Sequence, residues 1–284
     1  MKFATFLYQI SGPDMVAMAQ RAEQLGFESL WIPDHIVLPT EYRSTYPYAA
    51  SGRMPAPPET PFHDPMLALA YIAGVTRTIR LATGVLVLPM RNPFAVAKAV
   101  ATLDVVSNGR AILGVGIGWL REEFTAIGMD FDNRARRTRE AIALMKQLWT
   151  SETPSFHGQT VSAENLRFAP KPLQKPHPPI VLGGDSEPSL KRAAQVGDGW
   201  YGIMPNIEAA ADTIARLRKH ETAVGRATPL EITVNPRLAG PLDIGQIRRL
   251  EAIGVDRVIL NVGRGAKDAR AEIERFHDAV IAKL

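Results

Sequence analysis

Short apolar stretches alternate with longer amphipathic segments along the whole chain. The clearest apolar stretch covers residues 81–88, as expected for a parallel strand buried on both faces. Asn92 and Pro93 then supply a helix cap and a first-turn proline, and apolar residues recur at helical spacing as far as Val106. A second buried strand follows at residues 111–115. Together these segments predict one complete strand–helix–strand unit.

The same alternation recurs eight times, which predicts an α/β fold with a single (β/α)8 TIM barrel over residues 1–284. A doubly wound open sheet is the alternative. The predicted strands cover residues 3–8, 29–32, 81–88, 111–115, 180–182, 199–203, 231–234 and 257–261, and the last helix covers residues 268–283.

Two segments interrupt the alternation. Residues 39–65, after the second strand, are rich in Pro, Tyr, Ser and Gly and show little periodicity. A loop of that length in a compact domain is typical of an active-site lid. Residues 154–179, before the fifth strand, form a second, Pro-rich insertion that we expect to be irregular.

Composition excludes several classes of site and partner. The 284 residues include no cysteine, so disulfides, thiolate nucleophiles and cysteine metal sites are excluded, and a cytoplasmic location is expected. No apolar run is long enough for a membrane helix. The net charge is only +4, and the arginines of residues 134–139 indicate a solvated helix face rather than a nucleic-acid patch. No lysine follows a predicted strand, which argues against a Schiff-base aldolase, and we predict no metal site.

Catalytic residues of such barrels lie where the strands end. Asp34 and His35 follow the second strand, and His35 is the candidate catalytic residue, as a ligand or in proton transfer. The alternative is a structural histidine that hydrogen-bonds a loop carbonyl. Asn235 follows the seventh strand and Asn261 the eighth.

Two glycine-containing segments are candidate ligand contacts. Gly183, Gly184, Asp185 and Ser186 join a strand to a helix and suit a phosphate, although a plain tight turn is equally compatible. Thr83-Gly84-Val85 interrupts a buried strand, which indicates a bulge or close approach of a ligand, unless the glycine only improves helix packing.

Three segments resemble a known family. WIPDHIVLP, LATGVLVLPMRNPFAVAKAVATLDVVSNGRAILGVGIGWLREEF and PHPPIVLGGDSEPSLKRAAQVGDGW are similar to the bacterial luciferase-like monooxygenase superfamily, above all to its single-chain deazaflavin (F420)-dependent oxidoreductases. The resemblance extends along nearly the whole chain. It implies a luciferase-like barrel that holds FMN or F420 at the carboxyl ends of its strands.

The resemblance also implies a non-prolyl cis peptide at Gly84-Val85, behind the ring of the cofactor, and places Asp34 and His35 near its reactive edge. Trp119 stands where sugar-phosphate dehydrogenases of the superfamily carry a proposed acid, Glu; this argues against their two-residue mechanism, and an aromatic wall of the substrate pocket is expected instead. The full set of expected cofactor-binding residues is Asp34, His35, Thr83, Gly84, Val85, Gly116, Gly118, Trp119, Gly183, Gly184, Asp185 and Ser186.

The implied activity is oxidation or reduction of a small organic substrate, by hydride transfer to or from the cofactor or through a flavin peroxide. A homodimer is expected, with a flavin reductase or an F420-reducing dehydrogenase as supplier of reduced cofactor. The alternatives are a non-catalytic flavin-binding protein and a cofactor-free barrel isomerase of a phosphorylated substrate. The residues leave FMN and F420 open. The anionic tail of F420 would need a cation at the rim, for which Arg43, Arg53 and Arg91 are candidates by position, and both insertions are expected to shape substrate choice.

Overall fold

The computed structural model describes residues 1–10, 12–56, 59–238, 240–262 and 265–284. Within these ranges, parallel strands close into an eight-stranded barrel, which confirms the predicted fold. A separate two-stranded hairpin lies in the second insertion. The strand segments in chain order are Lys2–Phe6 (β1), Ser29–Ile32 (β2), Arg80–Thr83 (β3), Leu86–Val87 (β4), Ala111–Gly116 (β5), Phe156–His157 (β6), Ser162–Ala163 (β7), Ile180–Gly183 (β8), Gly199–Met204 (β9), Glu231–Pro236 (β10) and Arg257–Leu260 (β11).

The third barrel strand is split, which confirms the predicted interruption of the 81–88 strand at Thr83-Gly84-Val85. The chain leaves the ladder after Thr83, resumes pairing at Leu86, and turns into a 3-10 helix at Leu88–Met90. The peptide bond between Gly84 and Val85 is cis, as the family resemblance implied. The split therefore lies where the sequence showed a glycine within an apolar run.

The split strand packs directly on the backbone of β5. A methyl group on Gly114 would overlap the carbonyl oxygen of Thr83, and one on Gly116 would lie 2.6 Å from Cγ2 of Val85. The hydroxyl of Thr83 also donates a 2.7 Å hydrogen bond to the carbonyl oxygen of Gly114. Because real side chains do not approach so closely, only glycine fits at these two positions of β5.

Helices cover the outside of the barrel. Asn92 caps α3, as predicted, because its side-chain oxygen accepts hydrogen bonds from the backbone N–H groups of Phe94 and Ala95. The last helix ends earlier than predicted, and a 3-10 turn at Ile281–Lys283 follows it. The helices are Pro13–Gln24 (α1), Pro65–Ala73 (α2), Pro93–Val106 (α3), Arg121–Ala126 (α4), Arg134–Thr150 (α5), Glu187–Val196 (α6), Ile207–Ala223 (α7), Ile244–Ala252 (α8) and Ala266–Ala279 (α9).

The interior of the barrel is filled and is closed at the amino ends of its strands. Trp31 and Tyr201 stack with ring centroids 5.7 Å apart. Below them the fully buried Arg257 donates hydrogen bonds of 2.8 and 2.9 Å to the carboxylate of Glu28 and pairs with Glu231. Burial alone would raise the pKa of Glu28, but the hydrogen bond and charge of Arg257 lower it overall. This end of the barrel is therefore a structural floor, and the opposite end is left for a ligand.

The two insertions lie at different places on the barrel. The described part of residues 39–65 contains turns and extended chain and covers the carboxyl ends of the strands. The insertion at residues 154–179 is more regular than expected, since β6 and β7 form a hairpin. Its Thr160 donates hydrogen bonds of 2.7 and 2.6 Å from N and Oγ1 to Glu140 of α5. No helix in the described ranges is long and apolar enough to cross a bilayer.

We predict that Gly114→Ala destabilises the protein by about 1–3 kcal/mol, because the added methyl group must displace Thr83 or β5. The measurement is the free energy of unfolding in denaturant. Gly74→Ala is the matched control, since a methyl group there would make only an ordinary 3.6 Å contact with the Tyr71 carbonyl. Equal stability of the two variants would contradict the packing described for the split strand.

Candidate active site

A cavity of about 510 Å³ opens at the carboxyl ends of the barrel strands, a size typical of small-molecule sites. The structure brings nearly all the predicted cofactor-binding residues together around it. Those lining it are Asp34, His35, Gly84, Val85, Gly116, Gly118, Trp119, Gly183, Gly184, Asp185 and Ser186. Thr83 is the exception: it is buried, and its hydroxyl is bound to Gly114 beneath the cavity.

Asp34 lines the cavity, but its carboxylate is already engaged. Its side chain has no exposed surface, and it accepts hydrogen bonds from the backbone N–H of Val87 at 3.0 Å and from Arg91 at 2.6 and 3.2 Å. Arg91 in turn contacts Asp64, which caps α2. Asp34 therefore fixes the point where the third strand resumes, and Arg91 has two carboxylate partners of its own.

His35 points away from Asp34 and pairs with a residue that the sequence analysis did not select. Its Nδ1 lies 2.8 Å from Oε2 of Glu123, a residue of α4 that is 2% exposed. The other carboxylate oxygen of Glu123 accepts hydrogen bonds from the backbone N–H groups of Ile36 at 2.7 Å and Val37 at 3.3 Å. Since an acceptor of this kind faces Nδ1, the proton of neutral His35 belongs on Nδ1, and Nε2 is free to accept one.

The neighbouring residue Glu122 binds the lid. Its carboxylate accepts hydrogen bonds from the backbone N–H groups of Arg43 at 2.6 Å and Ser44 at 3.2 Å, and from the hydroxyl of Ser44 at 2.6 Å. Desolvation opposes ionisation, but these hydrogen bonds outweigh it and lower the pKa of Glu122 to about 2. The start of the lid is thus held to α4 throughout the neutral range.

Aromatic side chains form one wall of the cavity around His35, which we call the aromatic wall (Tyr8, Tyr46, Tyr48, Phe62 and Trp119). Phe62 packs edge-on against the His35 ring at 4.9 Å, and Trp119 lies 6.4 Å from it. Tyr46 of the lid contacts Trp119 at 5.1 Å. Trp119 therefore does form part of a pocket wall, and the space beside His35 is apolar.

The loop from Gly183 to Ser186 lies at the far side of the cavity and opens α6. Trp200 fixes it by donating a 2.8 Å hydrogen bond to the Gly184 carbonyl. The hydroxyl of Ser186 lies 2.9 Å from that of Ser189, which also lines the cavity and accepts a hydrogen bond from the buried Arg192. Two hydroxyls at a helix N-terminus, with a guanidinium behind them, suit a phosphate group.

Two further polar residues line the cavity at the end of β10. Asn235 is 2% exposed, and its side-chain oxygen has no hydrogen-bond partner. Arg237 donates a 3.0 Å hydrogen bond to the Tyr48 carbonyl of the lid and, among the described residues, has no carboxylate within ion-pair distance. Asn235 and Arg237 are two residues apart at the end of a strand, so their side chains lie on the same face. This spacing is the signal in the sequence that could have identified Arg237 as a lining residue.

The arginines proposed from the sequence as partners of the F420 tail do not lie in the cavity. Arg91 is held by two carboxylates, and Arg53 donates to the Tyr42 carbonyl and lies over the Tyr42 ring. Arg43, Arg53 and Arg91 do not line the cavity, whereas Arg237 does. No residue of the 154–179 insertion lines it either, whereas several residues of the lid do. Within the described ranges, no group of three His, Asp or Glu side chains is placed to hold a metal ion.

Comparison with known proteins places this geometry in context. Residues 4–239 match the sequence profile of a family described as luciferase-like monooxygenase. An uncharacterized protein of Mycobacterium tuberculosis is 32% identical over 95% of both chains. The solved structure of the coenzyme F420-dependent tetrahydromethanopterin reductase of Methanopyrus kandleri superposes with a TM-score of 0.79 at 18% identity and covers 99% of each chain.

Two relatives of named activity match part of their own length. The FMNH2-dependent dimethylsulfone monooxygenase of Pseudomonas putida is 29% identical over 76% of this chain and 55% of its own. The F420-dependent glucose-6-phosphate dehydrogenase of Amycolatopsis mediterranei is 34% identical over 66% of this chain and 53% of its own. The similar proteins thus include users of both cofactors.

We predict that Glu122→Ala releases the start of the lid, because it removes the acceptor for Arg43 and Ser44. Hydrogen exchange at these two amides should accelerate, with Glu164→Ala, an exposed residue of the hairpin, as the control. In the wild type the contribution of Glu122 is fully present above its unfolded pKa of 4.5 and is lost as the pH falls towards 2. Unchanged exchange in Glu122→Ala would contradict the assigned role.

Proposed function

The chain belongs to the luciferase-like monooxygenase family, and from this premise we propose that it is an oxidoreductase that uses FMN or F420 on a small organic substrate. The observation that carries the proposal is the cavity itself. The split third strand with its cis Gly84-Val85 bond forms one side of it, and His35 also lines it. The named activities of the relatives, one FMNH2-dependent and one F420-dependent, support the pair of candidate cofactors.

The residues present fit a flat ring with a phosphorylated side chain. Gly84, Gly116 and Gly118 would lie against the ring, because glycine backbone leaves a shallow surface without projecting side chains. Val85 would contact the ring with its side chain. The loop from Gly183 to Ser186 would hold the phosphate through backbone N–H groups and hydroxyls. When bound, such a cofactor supplies hydride transfer or, in reduced form, oxygen activation.

The chain itself supplies a proton relay and exclusion of water. His35, with Nδ1 held by Glu123, presents Nε2 as the atom that accepts or returns a proton at the substrate. The lid and the aromatic wall keep this space apolar, which strengthens electrostatic interactions at the reacting atoms. Since Trp119 offers no proton, the residues support His35 as the acid–base group rather than a pair of His35 and residue 119.

The proposal leaves the choice between FMN and F420 to experiment. The homodimer and the supplier of reduced cofactor, a flavin reductase or an F420-reducing dehydrogenase, remain predictions from the family resemblance, and the cytoplasmic location remains a prediction from the absence of cysteine. The assigned site residues are likewise proposals, supported by their common position around the cavity.

Titration of the purified protein with FMN and with F420 tests the proposed function. At least one of the two cofactors should bind, and binding should quench the fluorescence of that cofactor. The bound cofactor in its reduced form should then be oxidised in the presence of a substrate from a panel of small organic compounds. Binding without any substrate-dependent change in absorbance would favour the non-catalytic carrier. Absence of binding by both cofactors would refute the proposal and favour the isomerase.

We predict that Glu123→Gln lowers turnover by roughly 10²-fold or more and that His35→Ala lowers it at least as much. The Gln carbonyl can still accept from Ile36, so its NH2 group would face His35 Nδ1 and force the proton onto Nε2. Turnover is measured against pH with cofactor saturating, and nitrogen NMR of His35 reports the change of tautomer.

Glu221→Gln is the matched control, since Glu221 is also buried and also accepts a backbone hydrogen bond, from Leu230, far along the chain from His35. Its turnover should equal that of the wild type. Wild-type turnover in His35→Ala with cofactor bound would rule out a catalytic role for His35, and an unchanged tautomer in Glu123→Gln would rule out the role of Glu123.

A further inference from the structure

The end of β10 presents two polar groups to the cavity without a complete set of partners. Asn235 is almost fully buried, yet one atom of its amide makes no hydrogen bond. The unpaired buried atom is the side-chain oxygen, and within the described residues the NH2 group makes no hydrogen bond either. The NH2 group is not among the fully buried unpaired atoms, so it is the part of the amide that a ligand in the cavity can reach.

Arg237 lies two residues further on and also lines the cavity. It donates one hydrogen bond, to the Tyr48 carbonyl, which leaves most of its donors available. The lining also contains the carboxylates of Asp34 and Asp185 and the imidazole of His35. Asp34 is paired with Arg91 and His35 with Glu123, and Asp185 makes no ion pair with Arg237 within the described residues. Arg237 is therefore the cation that the cavity offers to a ligand.

We propose that Asn235 and Arg237 form a carboxylate-binding subsite in this cavity. A guanidinium and an amide NH2 group on one face of a strand provide donors for the two oxygens of a carboxylate. The proposal rests on the proposed function and deepens it, because it names the chemical class of the ligand. The carboxylate comes either from the substrate or from the glutamyl tail of F420.

If the carboxylate belongs to the substrate, the aromatic wall indicates the nature of the rest of that substrate. Phe62 and Trp119 beside His35 favour an apolar body, and Tyr48 links this wall to Arg237 through its carbonyl. Burial keeps the pKa of Tyr201 well above its usual value, so its hydroxyl remains a neutral neighbour that does not repel an anion. A small molecule with an apolar body and one carboxylate matches both parts of the cavity.

Equilibrium binding to wild type, Arg237→Gln, Arg237→Lys and Asn235→Ala tests the subsite. The probes are F420, FMN, phenylacetate and its uncharged analogue phenylacetamide, with cofactor and probe binding followed by fluorescence and calorimetry. Arg53→Gln is the control, because Arg53 is a lid arginine outside the cavity lining. Phenylacetate is titrated both with and without bound cofactor, so that failure of cofactor binding and failure of the subsite are separate results.

If the carboxylate belongs to the substrate, Arg237→Gln weakens phenylacetate binding roughly 10-fold or more and leaves phenylacetamide, FMN and F420 unchanged. If it belongs to the cofactor, the same variant weakens F420 by a similar factor and leaves FMN unchanged. In either case Arg237→Lys recovers part of the loss, and Asn235→Ala shows a loss for the same ligand. The proposal is overturned if Arg237→Gln binds all four probes as tightly as wild type does. It is also overturned if wild type binds phenylacetate no more tightly than phenylacetamide and Arg237→Gln does not weaken F420 binding.

Discussion

The carbonyl oxygen of Thr83 occupies the space that a side chain at position 114 would need. This contact brings the third strand against β5 at the level where it breaks and places Val85 against Gly116. The strand resumes at Leu86, where Asp34 accepts the backbone N–H of Val87. The close approach of the two backbones thus shapes the side of the cavity formed by the third strand, and this strand in turn positions Asp34.

Adjacent carboxylates on α4 connect the lid to the candidate acid–base residue. Glu122 accepts hydrogen bonds from the start of the lid, and Glu123 accepts them from His35 and the two residues that follow it. The two side chains belong to one turn of a short helix that comes directly after the glycines of β5. The lid and His35 are therefore both held by α4, so any shift of this helix moves both.

The sequence was informative where the signal was local. An apolar run broken by glycine located the split strand, and residues directly after strands located part of the cavity lining. Glu123 was missed because its partner His35 is 88 residues away and Glu122-Glu123 looks like an ordinary acidic first turn. Arg91 was proposed from position alone, but only the fold shows that Asp34 and Asp64 already engage it. Pairings across the barrel mouth depend on closure of the ring, which no short pattern encodes.

The hairpin at residues 154–179 stands on α5 through Glu140 and contributes nothing to the cavity lining. The segment also contacts α3 and the barrel, because Gln174 donates hydrogen bonds of 2.6 Å to the carboxylate of the buried Asp104 and 2.8 Å to the carbonyl of Ala111. The constraints on its sequence that the structure shows are therefore packing contacts with α3, α5 and β5, and not contacts with the occupant of the cavity.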